Sequence, residues 1–122
     1  MYKAVNLAEK YALFSEHFTP KILGEANGQY IKIAKILGEF VWHSHENEDE
    51  LFLIFKGMLT IEFRDGKGDL REGEMFIVPK GVEHRTLAAE ETYIMMIEPK
   101  STAHSGDVES ELTVATEKQE WI

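Results

Sequence analysis

Two histidines and a glutamate lie close together in the middle of the chain, and their residue types are those that bind transition metals. One residue separates His43 from His45, and Glu50 follows shortly after them. Residues two apart point to the same face of a β-strand, whereas in a helix they do not face each other. Two neutral imidazoles and a carboxylate that converge on one point form a site for a first-row transition metal.

The flanking residues have the composition of two strands joined by a turn. Residues 30–42 are rich in Ile, Val and aromatics, which favour strands, and residues 51–55 are all apolar. The polar residues 46–49 between them indicate a turn, so a hairpin would carry Glu50 back beside the two imidazoles. We interpret the acidic residues of this turn as a solvated rim. The alternative is a pair of surface histidines beside an acidic loop.

A second block supplies one more histidine. Residues 75–78 are apolar and end at Pro79, where the missing N–H costs no ladder hydrogen bond. Gly81 can adopt a turn conformation that is closed to other residues, and His84 then begins the next strand. Gly57 ends the earlier apolar run where a hairpin turn is needed. This block therefore offers a further nitrogen ligand.

Together the two blocks resemble the two motifs of the cupin superfamily, over residues 38–88. The matching residues are Gly38, His43, His45, Glu50 and Gly57 in the first motif and Gly73, Pro79, Gly81 and His84 in the second. The stretch between the motifs is short, as in small microbial cupins. Two positions depart from the family pattern: the first glycine is one residue closer to the first histidine than usual, and Ala88 stands where an asparagine is frequent.

The resemblance implies that four residues ligate one divalent transition metal per chain, namely His43, His45, Glu50 and His84. The metal would be Fe2+, Mn2+, Ni2+, Cu2+ or Zn2+, because ligand type alone does not choose among them. The alternative is a cupin that keeps the fold without metal. Such members have usually lost a ligand, whereas all four are present here. The implied fold is all-β, a double-stranded β-helix or jelly-roll barrel with the metal inside.

Alternation along the strands names candidate pocket residues. Phe52 and Ile54 share the face of Glu50, and Thr86 shares the face of His84. Tyr93 is a candidate proton donor on pattern alone. The alternative for Phe52, Ile54 and Tyr93 is ordinary packing in the core.

Two classes of function fit this set of residues. The first is a metal-dependent enzyme of isomerase, lyase or oxygenase type that acts on a small polar metabolite. The second is a cupin that binds or senses a small, sugar-like ligand without turning it over. The complete ligand set favours the enzyme, and neither substrate nor reaction follows from the fold alone.

Strand signals recur roughly every 8 to 12 residues with turn residues between them, which predicts an all-β sandwich or barrel. Asn6 caps a short helix predicted over residues 7–14. Residues 30–37 alternate, with Lys32 and Lys35 assigned to a wetter face. The composition changes after Pro99. We therefore predict a cupin domain over residues 1–100 that includes the short helix.

Residues 101–122 are predicted to form a C-terminal tail that packs on the barrel or on a neighbouring subunit. Within it, Leu112 and Val114 could form a short edge strand, and Trp121 and Ile122 are apolar enough to dock. The run at residues 51–55 does not alternate, which indicates burial on both faces. Because the outer face then needs a cover, we also predict a homodimer.

The composition restricts the partners and the location. The 122 residues include 22 Asp and Glu against 13 Lys and Arg, a net charge of −9. This balance argues against nucleic acid and anionic membranes as partners, since both need basic patches. The absence of cysteine excludes disulfides and thiolate ligands, and together with the lack of an apolar leader it predicts a cytoplasmic protein. The expected partner is a small molecule.

Overall fold

A computed structural model describes residues 2–100 and 118–122 of the chain. The strand suggested around Leu112 and Val114 lies outside the described residues. No helix in the described ranges is long and apolar enough to cross a membrane.

The described residues form one short helix and eight strands. Asn6 caps the helix by accepting a hydrogen bond from the Glu9 N–H, 3.0 Å away, and the helix ends at Tyr11 rather than at Phe14. The elements in chain order are α1 (Leu7–Tyr11), β1 (Lys21–Ala26), β2 (Gln29–Glu39), β3 (Glu50–Lys56), β4 (Met58–Phe63), β5 (Gly66–Arg71), β6 (Met75–Val78), β7 (His84–Pro99) and β8 (Glu120–Trp121).

All eight strands belong to one sheet, and the long strand β7 is its centre. The main order is β5-β4-β7-β2-β1-β8, and β3 joins β7 and also pairs with β6. Nearly all neighbours are antiparallel; β8 runs parallel to β1. The described pairings leave β5, β6 and β8 with one neighbour each, so the sheet is open and not the closed barrel that the sequence predicts. The all-β class and the short N-terminal helix are confirmed.

The inner face of the sheet encloses the main core. Alternate residues of strands β2 to β7 meet there, which requires the sheet to curve around them. The buried apolar residues of this cluster are Ala34, Ile36, Phe52, Ile54, Leu59, Ile61, Leu70, Val78, Ala88, Ile94 and Met96. The curved sheet thus provides an interior in which polar groups can be isolated from water.

The helix α1 covers part of the outer face, over β2 and β7. Tyr11 is buried against Phe14 and Ile33, and its hydroxyl donates a hydrogen bond of 2.5 Å to the Ile94 carbonyl. Tyr93 stacks on the Tyr11 ring with centroids 4.8 Å apart. The last residue also joins this cluster, since the Ile122 N–H donates to the Ile22 carbonyl at 3.0 Å.

The outer face of β3 and β6 is less buried than the apolar sequence of residues 51–55 predicts. On β3, Phe52 and Ile54 are buried, but Leu51 and Leu53 are half-buried and Phe55 is 37% exposed. On the neighbouring β6, Met75 and Ile77 are exposed on this outer face, whereas the exposed Phe76 lies opposite the inward-facing Phe52. The prediction of burial on both faces is therefore wrong for the single chain, because α1 reaches this side at Phe55, where the Tyr11 ring stacks, and Leu51 and Leu53 stay half-buried.

The turn between β3 and β4 depends on Gly57, which has φ of +93° and no space for a side chain. A Cβ there would lie 2.7 Å from the Thr92 Oγ1 and 3.0 Å from the Glu91 carbonyl oxygen. We expect Gly57→Ala to lower the free energy of unfolding by about 2–5 kcal/mol, from the left-handed backbone and the overlap together. Urea denaturation measures this loss.

Gly73→Ala is the matched control. Gly73 also has a positive φ of +80°, but no heavy atom lies within 4 Å of the position its Cβ would take. It should lose only about 1–2 kcal/mol, the cost of the left-handed backbone. Equal losses in the two variants would show that the contact with Thr92 contributes nothing.

Candidate metal centre

Two backbone hydrogen bonds hold the first and the last candidate ligand side by side. The N–H of His43 donates to the carbonyl of His84, and the N–H of His84 donates to the carbonyl of His43, each at 2.9 Å. His43 does not lie in a continuous strand as predicted, because β2 ends at Glu39 and His43 makes only this isolated antiparallel pair. The long-range pair, and not strand alternation, therefore positions His43.

The other two ligands are positioned by the elements around them. The carbonyl of His45 accepts a hydrogen bond of 2.8 Å from the N–H of Gly81, which ties its loop to the turn after β6. Glu50 is the first residue of β3 and pairs with Val78. The carboxylate of Asp49 in turn accepts from the Lys80 N–H at 2.9 Å. The acidic turn thus braces the site from outside, which agrees with its prediction as a rim.

The structure brings all four predicted metal ligands together in one buried cluster. His43, His45, Glu50 and His84 each offer one ligand atom, and these atoms all lie within 4.8 Å of one another. The Glu50 Oε1 lies 3.4 Å from the His45 Nε2 and 3.6 Å from the His84 Nε2. None of the four residues is more than 5% exposed. Three nitrogens and one carboxylate at these separations fit a transition metal at their centre.

Backbone carbonyls orient two of the imidazoles. The Nδ1 of His43 lies 2.8 Å from the Val41 carbonyl oxygen, and the Nδ1 of His84 lies 2.9 Å from that of Val82. A carbonyl can only accept, so Nδ1 carries the proton in each ring and Nε2 presents a lone pair to the site. The buried Nε2 of His43 has no hydrogen-bond partner among the described residues. A bound metal would satisfy this lone pair, which is otherwise costly to bury.

Burial sets the charges of the cluster. It lowers the pKa of His43 to about 4, helped by the proximity of His84, so this imidazole is neutral at neutral pH. Burial alone would raise the pKa of Glu50, but the neighbouring His45 and His84 imidazoles outweigh it and hold that pKa below its usual range. His43 and Glu50 are therefore ready to bind a cation without first losing protons.

A buried ion pair lies behind Glu50, and the sequence analysis missed it. The Nζ of Lys32 is 3.0 Å from the Glu98 Oε1, and both side chains are fully buried. The sequence predicts Lys32 on a wetter face of the strand. On β2 it instead shares the buried inner face with Ala34 and Ile36. Burial and the charge of Glu50 raise the pKa of Glu98 well above its usual value. The available signal was two-residue alternation along β2 and β7. Extended to Lys32 and Glu98, it predicts both side chains on the inner face.

A small cavity adjoins the cluster, and two of the four predicted pocket residues line it. Phe52 and Thr86 face the cavity as predicted. Ile54 is fully buried in the core cluster and does not line it. The complete lining comprises Phe18, Pro20, Phe40, His43, Glu50, Phe52, Thr86 and Met96. Phe18, Pro20, Phe40 and Met96 escaped the sequence analysis because they come from other parts of the chain.

Tyr93 lies on the opposite side of the sheet from the cavity. The Tyr93 ring stacks on the Tyr11 ring, and the Lys35 Nζ lies 4.7 Å from the centroid of the Tyr93 ring. Thr92 and Ile94, its neighbours in β7, point to the inner face, so Tyr93 must point outward. This placement gives no support to a role as proton donor and agrees with the packed aromatic alternative.

Comparisons with known proteins agree with this architecture. The cupin domain model matches residues 36–98. A crystal structure of a cupin-2 domain containing protein from Shewanella frigidimarina NCIMB 400 is 46% identical with a TM-score of 0.77, and the alignment covers 78% of this chain and 93% of that one.

Two further relatives are similar over four fifths of this chain. The crystal structure of a Neisseria meningitidis protein is 32% identical with a TM-score of 0.73, covering 80% of this chain and 99% of that one. The uncharacterized protein YdbB of Bacillus subtilis (strain 168) is 34% identical over 98 residues, which is 80% of each chain. These findings confirm the predicted jelly-roll β fold, and the chain belongs to the cupin superfamily.

Proposed function

We propose that this cupin binds one divalent transition metal through His43, His45, Glu50 and His84 and uses it as an enzyme acting on a small metabolite. The observation that carries the proposal is the buried convergence of four ligand atoms within 4.8 Å. A bound cation would compensate the buried Glu50 carboxylate and the unpartnered Nε2 of His43. The metal would be one of Fe2+, Mn2+, Ni2+, Cu2+ and Zn2+.

The reaction class is isomerase, lyase or oxygenase, on a small polar metabolite such as a keto acid or diol. When bound, such a metal supplies Lewis-acid or template chemistry, or O2 chemistry in the case of iron. The chain itself contributes ligand orientation through the carbonyls of Val41 and Val82 and an apolar surround that excludes water. Thr86 offers a hydroxyl at the cavity wall for a substrate oxygen.

The alternative is a cupin that binds or senses a small, sugar-like ligand without turning it over. One observation favours it. Within the described residues, Thr86 is the polar residue of the cavity lining that is not a candidate metal ligand, so the lining offers no separate general base or acid. A metal-loaded screen against keto acids, diols and sugars distinguishes the two functions. Metal-dependent product supports the enzyme, whereas a ligand that raises the melting temperature and is recovered unchanged supports binding.

The metal site is tested by elemental analysis of tag-free protein. The parent should carry close to one transition-metal ion per chain, and His84→Ala should lose it, because three ligands around a vacated buried position bind far more weakly. His17→Ala is the control, since His17 pairs with Glu91 away from the cluster. Glu50→Gln keeps the side-chain shape and should also lower occupancy. A parent that takes up none of the five metals would refute the site.

We also propose a homodimer, formed through the exposed outer face of β3 and β6. Met75 and Ile77 on β6 are 52% and 45% exposed and lie beside the half-buried Leu53 and Leu51. In the described sheet β6 pairs only with β3, so its other edge is free. Two copies of this edge related by a two-fold axis run antiparallel and can pair each other's free backbone N–H and C=O groups. A second copy of the chain is therefore the partner that fits this edge.

Light scattering tests the dimer. The parent should have the mass of two chains, and Ile77→Glu should shift it to one chain by placing a charge in the apolar contact. Leu13→Glu is the matched control, because Leu13 is also exposed but follows α1, away from β6. A parent of one-chain mass would contradict the homodimer.

Two further assignments stay proposals. We propose a cytoplasmic location, with which the absence of cysteine agrees. We also propose the division into a domain of residues 1–100 and a tail of residues 101–122. The parallel pairing of β8 with β1 supports a tail that returns to the domain.

A further inference from the structure

The segment that connects α1 to β1 passes over the cavity of the candidate metal centre. Within residues 15–20, Phe18 and Pro20 line this cavity. The Phe18 ring stacks on the Phe40 ring, with centroids 5.4 Å apart and planes 15° from parallel. Phe40 in turn meets the His43 imidazole edge-on at 5.5 Å. An aromatic pair therefore forms the wall between one metal ligand and the exterior.

Phe18 has an unusual backbone conformation. Its φ is +55°, in the left-handed region that a bulky side chain rarely adopts. Three contacts hold it there: the Phe18 N–H donates to the Lys35 carbonyl at 2.9 Å, the His17 Nε2 lies 2.7 Å from the Glu91 Oε2, and the Thr19 hydroxyl donates to the His17 carbonyl at 2.9 Å. Neighbouring contacts thus fix a strained residue at the position where its ring closes the cavity.

The space beside the ligands is partly open to solvent, and it is too small for a metabolite. The water-accessible volume beside the ligands is about 30 Å³. One water needs roughly 10–15 Å³ of such volume, so about two waters fit. None of the four ligands is more than 5% exposed, so a larger molecule needs more room beside them than this space gives. The Phe18 side chain must therefore move, or be removed, before anything larger can reach the centre.

The wall also restricts the chemistry of what enters. Five of the eight lining residues are apolar: Phe18, Pro20, Phe40, Phe52 and Met96. Beyond Glu50, no carboxylate, lysine or arginine from the described ranges joins the lining, so it offers a phosphate no charged side chain outside the ligand set. With the Phe18 ring displaced, such a lining suits a molecule with one oxygen-donor group at the ligand cluster and a flat apolar body against the rings.

We propose that Phe18 is the gate of this centre and its specificity-determining residue. It admits small donors and controls entry of ligands that combine an oxygen-donor head with a flat apolar body. The inference rests on the proposed metal site, and it limits the substrates of that site to small metabolites that combine one polar oxygen-donor head with a flat apolar body. Phe18 as plain core packing is the competing explanation, and it predicts a loss of stability without any change in ligand size selectivity.

The first experiment uses Co2+-loaded protein and two probe anions, azide and benzoate, followed by the visible absorption of the metal. Azide should bind the parent and Phe18→Ala with the same affinity, because its size is close to that of the existing space. Benzoate should bind Phe18→Ala more tightly than the parent, by about tenfold or more. Equal changes for both anions, or no change for either, would overturn the gate.

Phe63→Ala is the matched control, since Phe63 is also a partly buried phenylalanine packed against the main core but lies outside the cavity lining. It should leave both affinities as in the parent. Phe18→Gly is the second variant and guards against misfolding. It opens the same space and relieves the positive φ, so it should melt at a higher temperature than Phe18→Ala while showing the same gain for benzoate.

A metal-free measurement separates the gate from the metal site. Removing the Phe18 ring leaves a space lined by Phe40, Phe52 and Met96, and such an apolar space binds benzene. In metal-free protein, benzene should raise the melting temperature of Phe18→Gly but not that of the parent or Phe63→Ala. This result with no Co2+ uptake would keep the gate and refute the metal enzyme. Absence of the shift in Phe18→Gly would overturn the gate whatever the metal result.

Discussion

The mutual backbone hydrogen bonds between His43 and His84 are the constraint on which the site depends. They join the end of the loop after β2 to the start of β7, two segments distant in the chain, and so place two imidazoles with ring centroids 4.4 Å apart. Glu50 and His45 complete the cluster only because β3 pairs with β7 and the Gly81 turn holds the His45 loop. The curved sheet is therefore the frame that converts separate residues into a single coordination set.

Burial explains both the electrostatics and the chemistry of this set. In a low-dielectric interior an imidazole stays neutral, and a carboxylate stays charged only if hydrogen bonds or cations surround it. Burial keeps His43 neutral, the pKa of Glu50 lies below its usual range beside His45 and His84, and the Lys32–Glu98 pair extends the buried polar network away from the cavity. On the cavity side the surrounding residues are mainly aromatic and apolar. They leave room for few water molecules, so the ligand cluster is the main polar feature there.

The two faces of the same sheet have separate tasks. The inner face carries the cluster, the ion pair and the main core, whereas the outer face is covered by α1 over β2 and β7 and left apolar and exposed over β3 and β6. Tyr93 shows how strictly alternation separates these tasks. Consecutive side chains of β7 point to opposite faces of the sheet, so the residue next to an inward-facing one packs beneath the helix α1.

The sequence by itself determined the all-β class, most strand positions and, through the resemblance to the two cupin motifs, the candidate metal ligands, because residue type, two-residue alternation and turn glycines are local properties. Phe52 and Thr86 follow from such alternation as residues of the cavity lining. Only the tertiary structure decided that Phe18, Pro20, Phe40 and Met96 share the cavity, that Lys32 and Glu98 are buried together, and that the sheet stays open. These features depend on contacts between segments far apart in the chain, and local patterns carry no record of which distant segments meet.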